Sequence, residues 1–265
     1  MMKNIRNLLF VSTLVWFSNI SAETYEVSSG PQKNALLELY TSQGCSSCPP
    51  ADEWHAEVSK QKAFAEQGLI PLAFHVDYWD YLGWKDPFAN ADYSMRQKMH
   101  QIQGAINALY TPQLILNSSE LRPVSRLPTM FDSVKNTAAV VNLTLRLDTE
   151  DESSGLWDVQ LTSTPFEEIL ASKQSVYFAV TESNLRTAVL AGENHGRSLL
   201  YNNVVRELIG PISISLDDEM VIERKIKLDT DWRKENLNLV AFVQSERGDI
   251  MQAISLRATD TNLAK

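Results

Sequence analysis

Residues 34–50 read NALLELYTSQGCSSCPP, and their reading decides the fold. The strand formers Ala35 to Tyr40 pass through a polar turn, Thr41 to Gly44, and deliver Cys45-Ser46-Ser47-Cys48 to the expected start of a helix. Cys45 and Cys48 are the only two cysteines in the chain. A stabilising disulfide framework normally uses several cysteines at wide spacing. Closing so small a loop removes little chain entropy. Chemistry is therefore the expected role of the pair.

The Ala35–Tyr40 strand is mostly apolar on both faces, as a central strand covered on each side should be. Glu38 is the exception. Beside a thiol pair, a buried carboxylate has a raised pKa and serves as a proton relay to the second cysteine. The ordinary alternative for Glu38 is an edge or partly solvated position. After Cys48, Pro49-Pro50 fit only the first turn of a helix. The helical pattern Ala51 to Glu66 follows, with Trp54 and Val58 on one face and Gly68 as a stop.

A strand aimed at a Cys-X-X-Cys pair that opens a helix is the thioredoxin arrangement. There the first cysteine, Cys45, is expected exposed at the helix N-terminus, where N–H groups and the helix dipole favour its attacking thiolate. Cys48, one turn further in, resolves the mixed disulfide. Ser46-Ser47 brings no cation, and Asp52 and Glu53 add opposing charge. The expected thiol pKa is less depressed than in a histidine-containing pair. Metal binding and a quiet local disulfide stay open beside redox chemistry.

Leu69 to Val76 reads as a second buried strand, and Asp77 to Phe88 packs five aromatics around Gly83 and Pro87. Helical spacing over Ala91 to Ala108 makes this region a helical insertion. Thr111-Pro112 leads into a third strand, Leu114–Leu116. Thioredoxin folds place a cis-proline opposite the dithiol, with the backbone of the preceding residue pairing to substrate. Proline is also tolerated at any strand start, and most X-Pro bonds are trans. Leu121 to Val124 is a candidate fourth strand, residues 126–136 a last short helix, and Glu23 to Lys33 a polar lead-in.

His75 and Asp77 project to one face of the second strand, with Asp80 close by in sequence. Cys45, Cys48 and His75 form an alternative copper or zinc site of soft and imidazole ligands. The other histidines, His55, His100 and His195, have no ligand spacing.

From Ala138 the texture changes to short alternating segments: Val140–Leu147, Leu156–Leu161, Val176–Thr181, Thr187–Ala191, Ile212–Leu216, Val221–Leu228, Leu239–Val243 and Ile250–Leu256. Turns such as Ser153-Ser154-Gly155 separate them. This pattern indicates an antiparallel sandwich. Gly192 to Arg197 and Asn202 to Arg206 read as connecting loops, with docking to the first domain or a partner as the alternative.

Lys3 and Arg6 precede an apolar run, Leu8 to Phe17, and Ile20-Ser21-Ala22 supplies a small residue for cleavage. That is the anatomy of a signal peptide, with an uncleaved anchor as the alternative. The expected location is exported, periplasmic or secreted. The net charge of −9 becomes more acidic once Lys3 and Arg6 are removed. Such a product does not suit general binding of nucleic acid or anionic membrane. No stable membrane insertion is expected after cleavage. The expected organisation is a signal segment at 1–22, an α/β thioredoxin-like domain with a helical insertion at 23–134, and an antiparallel β-sandwich domain at 135–265.

The segments ELYTSQGCSSCPPADE, FHVDYWDYLGWKDPFA, YTPQLIL and GENHGRSLLYNNVVREL, in this order, resemble the exported bacterial domain-of-unknown-function family twelve-twenty-three, of the thioredoxin-like superfamily. The resemblance implies a thioredoxin-like fold with Cys45 and Cys48 at its site and Pro112 as the cis-proline. It implies no established reaction. The spacer is Ser-Ser where better-known thioredoxins carry Gly-Pro, and the span from Cys45 to Pro112 is enlarged. The favoured expectation is thiol–disulfide exchange with a protein partner in the cell envelope, without a cofactor. Soft-metal delivery and a non-enzymatic binding module are the alternatives.

Overall fold

The computed structural model describes residues 24–149, 155–166 and 173–257. The expected signal segment and the Ser153-Ser154 part of the expected turn lie outside these. The chain begins with β1 (Thr24–Ser28) and β2 (Ala35–Thr41), followed by α1 (Pro49–Val58), α2 (Lys62–Ala65) and β3 (Leu69–His75). Next come α3 (Ala91–Ile102), β4 (Gln113–Leu116), β5 (Ser119–Glu120) and α4 (Leu127–Lys135). The second half is strand-rich: β6 (Val141–Asp148), β7 (Leu156–Pro165), β8 (Gln174–Glu182), β9 (Leu185–Ala188) and β10 (Ser198–Tyr201). It ends with β11 (Val204–Ile214), β12 (Met220–Lys227), β13 (Leu237–Ser245) and β14 (Ile250–Arg257).

Every residue of β2 is buried, which accounts for its near-continuous apolar run. On one face Ala35, Leu37 and Leu39 pack with Val58 of α1 and Phe131 of α4. On the other, Leu36 and Tyr40 pack with Tyr93 of α3 and Phe242 of β13. Parallel β3 flanks β2 on one side and antiparallel β4 on the other, with Tyr40 opposite Gln113. Thr111-Pro112 and the turn after β2 thus lie at the same end of the sheet.

One eight-stranded sheet runs in the order β14-β13-β8-β11-β3-β2-β4-β5. It therefore crosses the boundary expected between residues 134 and 135. The junction is a parallel pairing in which Val204 faces Ala73, and the Ala73 N–H donates to the Asn203 carbonyl at 2.8 Å. A second sheet, β1-β6-β7-β12, covers part of this one. Leu143, Leu145, Val159 and Ile222 of the smaller sheet share a core with Phe178, Leu239 and Ala241 of the larger. The result is a mixed α/β protein dominated by sheets, with an antiparallel sandwich at one end.

Several expectations need correction. Thr24–Ser28, read as a polar lead-in, is a strand that pairs with β6. The helix expected over Ala51–Glu66 begins at Pro49, with both prolines in its first turn, and stops at Val58. There the Ser59 hydroxyl turns back to the Ala56 carbonyl at 2.8 Å, and Gln61 is extended. The helix expected to run to Ala108 ends at Ile102, and the strand expected at Leu121–Val124 is instead Ser119–Glu120. Asn202 to Arg206 is no loop, because Val204 already begins β11.

Candidate functional site

Cys45 and Cys48 are joined as a disulfide with a Cα–Cα separation of 5.5 Å. Cys48 is the N-cap of α1. The approach to the pair is a tight turn: the Cys45 N–H donates to the Ser42 carbonyl and the Cys48 N–H to the Cys45 carbonyl, both at 3.2 Å. Gly44 is needed for close approach, since a Cβ there would lie 3.1 Å from the Trp79 Cβ and 3.2 Å from its carbonyl oxygen.

The pair is not open to solvent as expected. Cys45 is 2% exposed and Cys48 0%, while Ser46 and Ser47 between them are exposed. The cover comes from the segment Gly192 to Arg197, which thus docks onto the first half of the chain. Asn194 is buried, and its Nδ2 donates to the carbonyls of Gln43 and Cys45, both at 2.9 Å. Its Oδ1 accepts from Arg197 at 3.0 Å. Beside it, the exposed Glu193 carboxylate accepts the Ser46 N–H at 3.1 Å.

Gln43, which sequence reading missed, ties the turn to the aromatic insertion and to β9. Its N–H donates to Asp86 Oδ2 at 2.8 Å, and its Nε2 to Thr187 Oγ1 at 3.1 Å. Its Oε1 accepts from Trp84 Nε1 at 2.9 Å. The aromatic insertion therefore closes over the turn, as does Trp79, whose Nε1–H donates to Thr111 Oγ1 at 2.7 Å. The Thr111–Pro112 peptide bond is cis, as the resemblance implied, and so are Arg122–Pro123 and Gly210–Pro211.

Beneath the turn lies a buried polar group. His75 Nδ1 is 2.7 Å from Asp86 Oδ2, and the His75 ring meets Phe88 and Tyr201 edge-on. His75 Nε2, Thr41 Oγ1, both Asp52 oxygens and the Tyr201 hydroxyl are buried with no hydrogen-bond partner among the described residues. Burial pushes the Asp52 carboxyl up to about 7; the nearby Asp86 adds to this, while His75 opposes it. Burial works against the His75 cation, but the Asp86 carboxylate overrides it and holds His75 above its ordinary value. Asp77 and Asp80 serve the local fold instead: Asp77 accepts from the Ser94 hydroxyl at 2.5 Å, and Asp80 from the Asp86 N–H at 3.1 Å.

Glu38 is neither at an edge nor solvated, and its pKa is not raised. It is 1% exposed in a central strand. Burial alone would raise its carboxyl, but Arg96 and His100 hold it well below the usual carboxylate range. Arg96 grips it with two bonds of 2.8 Å, His100 Nε2 lies 3.2 Å away, and the Tyr40 hydroxyl donates at 2.7 Å. Glu38 shares the sheet face of Leu36 and Tyr40, opposite the one that α1 covers. The alternative soft-metal set is not assembled either. Among the described residues, no three His, Cys, Asp or Glu side chains gather as a metal site, Cys45, Cys48 and His75 included.

Fold and site together define a sheet-dominated α/β protein with a covered Cys-X-X-Cys disulfide at the N-terminus of a helix. The chain belongs to the DUF1223 family, proteins of unknown function, which matches residues 36–244. A solved structure from Agrobacterium tumefaciens is similar, with a TM-score of 0.58 at 22% identity, over 89% of this chain and 99% of that one. HBP35 of Porphyromonas gingivalis is similar with a TM-score of 0.67 at 15% identity, over 89% of this chain and 81% of that one. At these identities the likeness concerns the fold alone. No curated protein matches the chain. Among the described residues no helix is long and apolar enough to cross a membrane.

Proposed function

We propose that the protein is an exported thiol–disulfide exchange protein with a thioredoxin-like core, acting on a protein partner in the cell envelope. The observation that carries this reading is the Cys45–Cys48 disulfide at the start of α1, at the same sheet end as the cis Thr111–Pro112 bond. The sheet order β11-β3-β2-β4-β5 supports the thioredoxin-like core, with β11 parallel to β3, β3 parallel to β2 and β4 antiparallel to β2. The basic, apolar and small-residue succession at the N-terminus supports export.

In the oxidised state the pair accepts two electrons from a partner dithiol. A partner thiolate attacks Cys45 Sγ, the Cys45–Cys48 bond breaks, and Cys48 leaves as a thiolate that takes up a proton. The second partner thiolate then attacks the mixed disulfide, so that the partner leaves as a disulfide and Cys45 as a thiolate. Reversal of these steps reduces a partner disulfide. The α1 N-terminus favours the Cys45 thiolate, and the cis-proline segment presents backbone to the incoming chain. The Glu193–Asn194 cover must move to admit a partner, which makes the protein selective.

The test is trapping. Reduced protein with Cys48→Ser is exposed to an envelope extract, and disulfide-linked adducts are separated and identified. Adducts through Cys45 that vanish on reduction, and are absent from the Cys45→Ser variant, support the reading. Absence of adducts, together with no turnover of insulin or a reduced model protein by the native chain, overturns it.

A further inference from the structure

The cover over the disulfide places an ionisable side chain, Glu193, on the backbone of the turn that holds Cys45. Among the described residues the Glu193 carboxylate has no ion-pair partner; it accepts the Ser46 N–H. Hydrogen bonds from Ser46, side chain and backbone, keep its carboxyl below the ordinary range. The Ser46 nitrogen is bonded directly to the Cys45 carbonyl carbon, so the carboxylate seated on it is one residue along the chain from Cys45. While the pair is a disulfide, the Cys45 sulfur carries no charge, and the carboxylate has the N–H to itself. Reduction places a thiolate there, and two anions then share one polar corner.

We propose that residues 192–197 form a redox-responsive cap, with Glu193 and Asn194 closing it over the disulfide and the thiolate of reduced Cys45 driving Glu193 away. The proposal rests on the thiol–disulfide reading above. Coupling of this kind is reciprocal. If reduction loosens the cap, the Glu193 charge in turn favours the oxidised pair and raises the Cys45 thiol pKa. Glu193 is thus a positioning residue that sets the potential. Asn194 supplies the rest of the closure, through its two bonds to the Gln43 and Cys45 carbonyls, and Arg197 braces it. The other ionisable groups around this turn are the exposed His195 on the loop and Glu53 on α1, and the buried Asp52, His75 and Asp86 beneath it.

The experiment equilibrates the full chain with dithiothreitol at fixed ratios of its oxidised and reduced forms. Dithiothreitol closes to its cyclic disulfide and gives up two electrons and two protons to the pair; where Cys45 stays a thiolate, one of those protons goes to solvent. The fraction reduced, the Cys45 pKa from thiolate absorbance, and the rate of trypsin cleavage after Arg197 are measured for the native chain, Glu193→Gln and Glu53→Gln. Glu53→Gln removes a nearby exposed charge that does not touch Ser46.

Reduction is expected to speed cleavage after Arg197. Glu193→Gln is expected to shift the equilibrium about threefold toward the reduced pair, about 14 mV for a two-electron couple. It is also expected to lower the Cys45 pKa, and Glu53→Gln to do less of both. Equal cleavage in the two redox states, or a Glu193→Gln equilibrium matching that of the native chain or of Glu53→Gln, overturns the cap. A disulfide that dithiothreitol does not reduce short of unfolding overturns the exchange reading itself.

Discussion

Asn194 Nδ2 donates to the main-chain carbonyl of Cys45 at 2.9 Å, across 149 positions of sequence. The bond joins the strand-rich half of the chain to the disulfide turn of the other half. With the β11–β3 pairing it makes the two halves one structural unit, because β3 loses its neighbour on one side if β11 departs. Denaturation in urea is accordingly expected to show one transition, with coincident curves from tryptophan fluorescence and far-ultraviolet circular dichroism. Two separated transitions would mean that residues 23–134 and 135–265 fold independently.

The buried His75–Asp86 pair sets a pH window for stability. Burial opposes the charge on each, but their contact holds His75 above its ordinary pKa and Asp86 below its own. A raised histidine pKa contributes stability that is full below the unfolded value of about 6.5 and lost as pH rises through the folded value. A lowered aspartate pKa contributes stability that is present above about 3.9 and lost as pH falls through the folded value. The pair therefore supports the fold best from about pH 4 to about 6.5. Asp86→Asn is expected to cost about 3–5 kcal/mol at pH 6, and less at pH 9. Urea midpoints at the two pH values check this, and an equal loss at both would refute it.

Asp52 works in the opposite sense to a stabilising carboxylate. Its folded pKa, pushed up to about 7 chiefly by burial, means that ionisation at higher pH strains the native state. Relative stability is full below the unfolded pKa of about 3.9 and falls as pH rises through 7. Asp52→Asn is expected to stabilise the protein by up to about 4 kcal/mol at pH 8 and to change little at pH 4. Melting temperatures of the two proteins at both pH values test the claim. A variant no more stable than the native chain at pH 8 would refute the raised Asp52 pKa.

What could be read from sequence was local. The all-buried β2 announces itself as an apolar run, Cys45 and Cys48 by their spacing, and Thr111-Pro112 by its place ahead of β4. The β6 and β7 strands show a clean two-residue alternation because one face is solvated. The elements that sequence concealed depend on distant partners. TYEVS becomes a strand only because β6 offers an edge, and Asn203-Val204 joins β3 through a single register pair. Asn194 and Gln43 carry no spacing signal at all. Nor does any sequence pattern show that Asp52 shares a buried site with His75 and Asp86. Glu38 stands out in the sequence as an acid in an apolar strand, but its partner lies on α3, 58 positions on.

That partner gives the last test. Arg96 is buried, doubly bonded to Glu38, and its guanidinium carbon lies 5.6, 5.3 and 4.9 Å from the ring centres of Phe74, Tyr177 and Phe242. Removing the carboxylate leaves an uncompensated cation among aromatic rings, which typically costs about 3–5 kcal/mol. The Glu38 pKa is held down by Arg96 and His100 against burial. Its contribution is therefore present above the unfolded value of about 4.3 and lost as pH falls through the folded value. Glu38→Gln is expected to lower the urea midpoint strongly at pH 7. Because Glu38 faces away from α1, the rate at which dithiothreitol reduces the Cys45–Cys48 disulfide should stay unchanged per folded molecule. A slowed reduction with undiminished stability would return Glu38 to the role of proton relay.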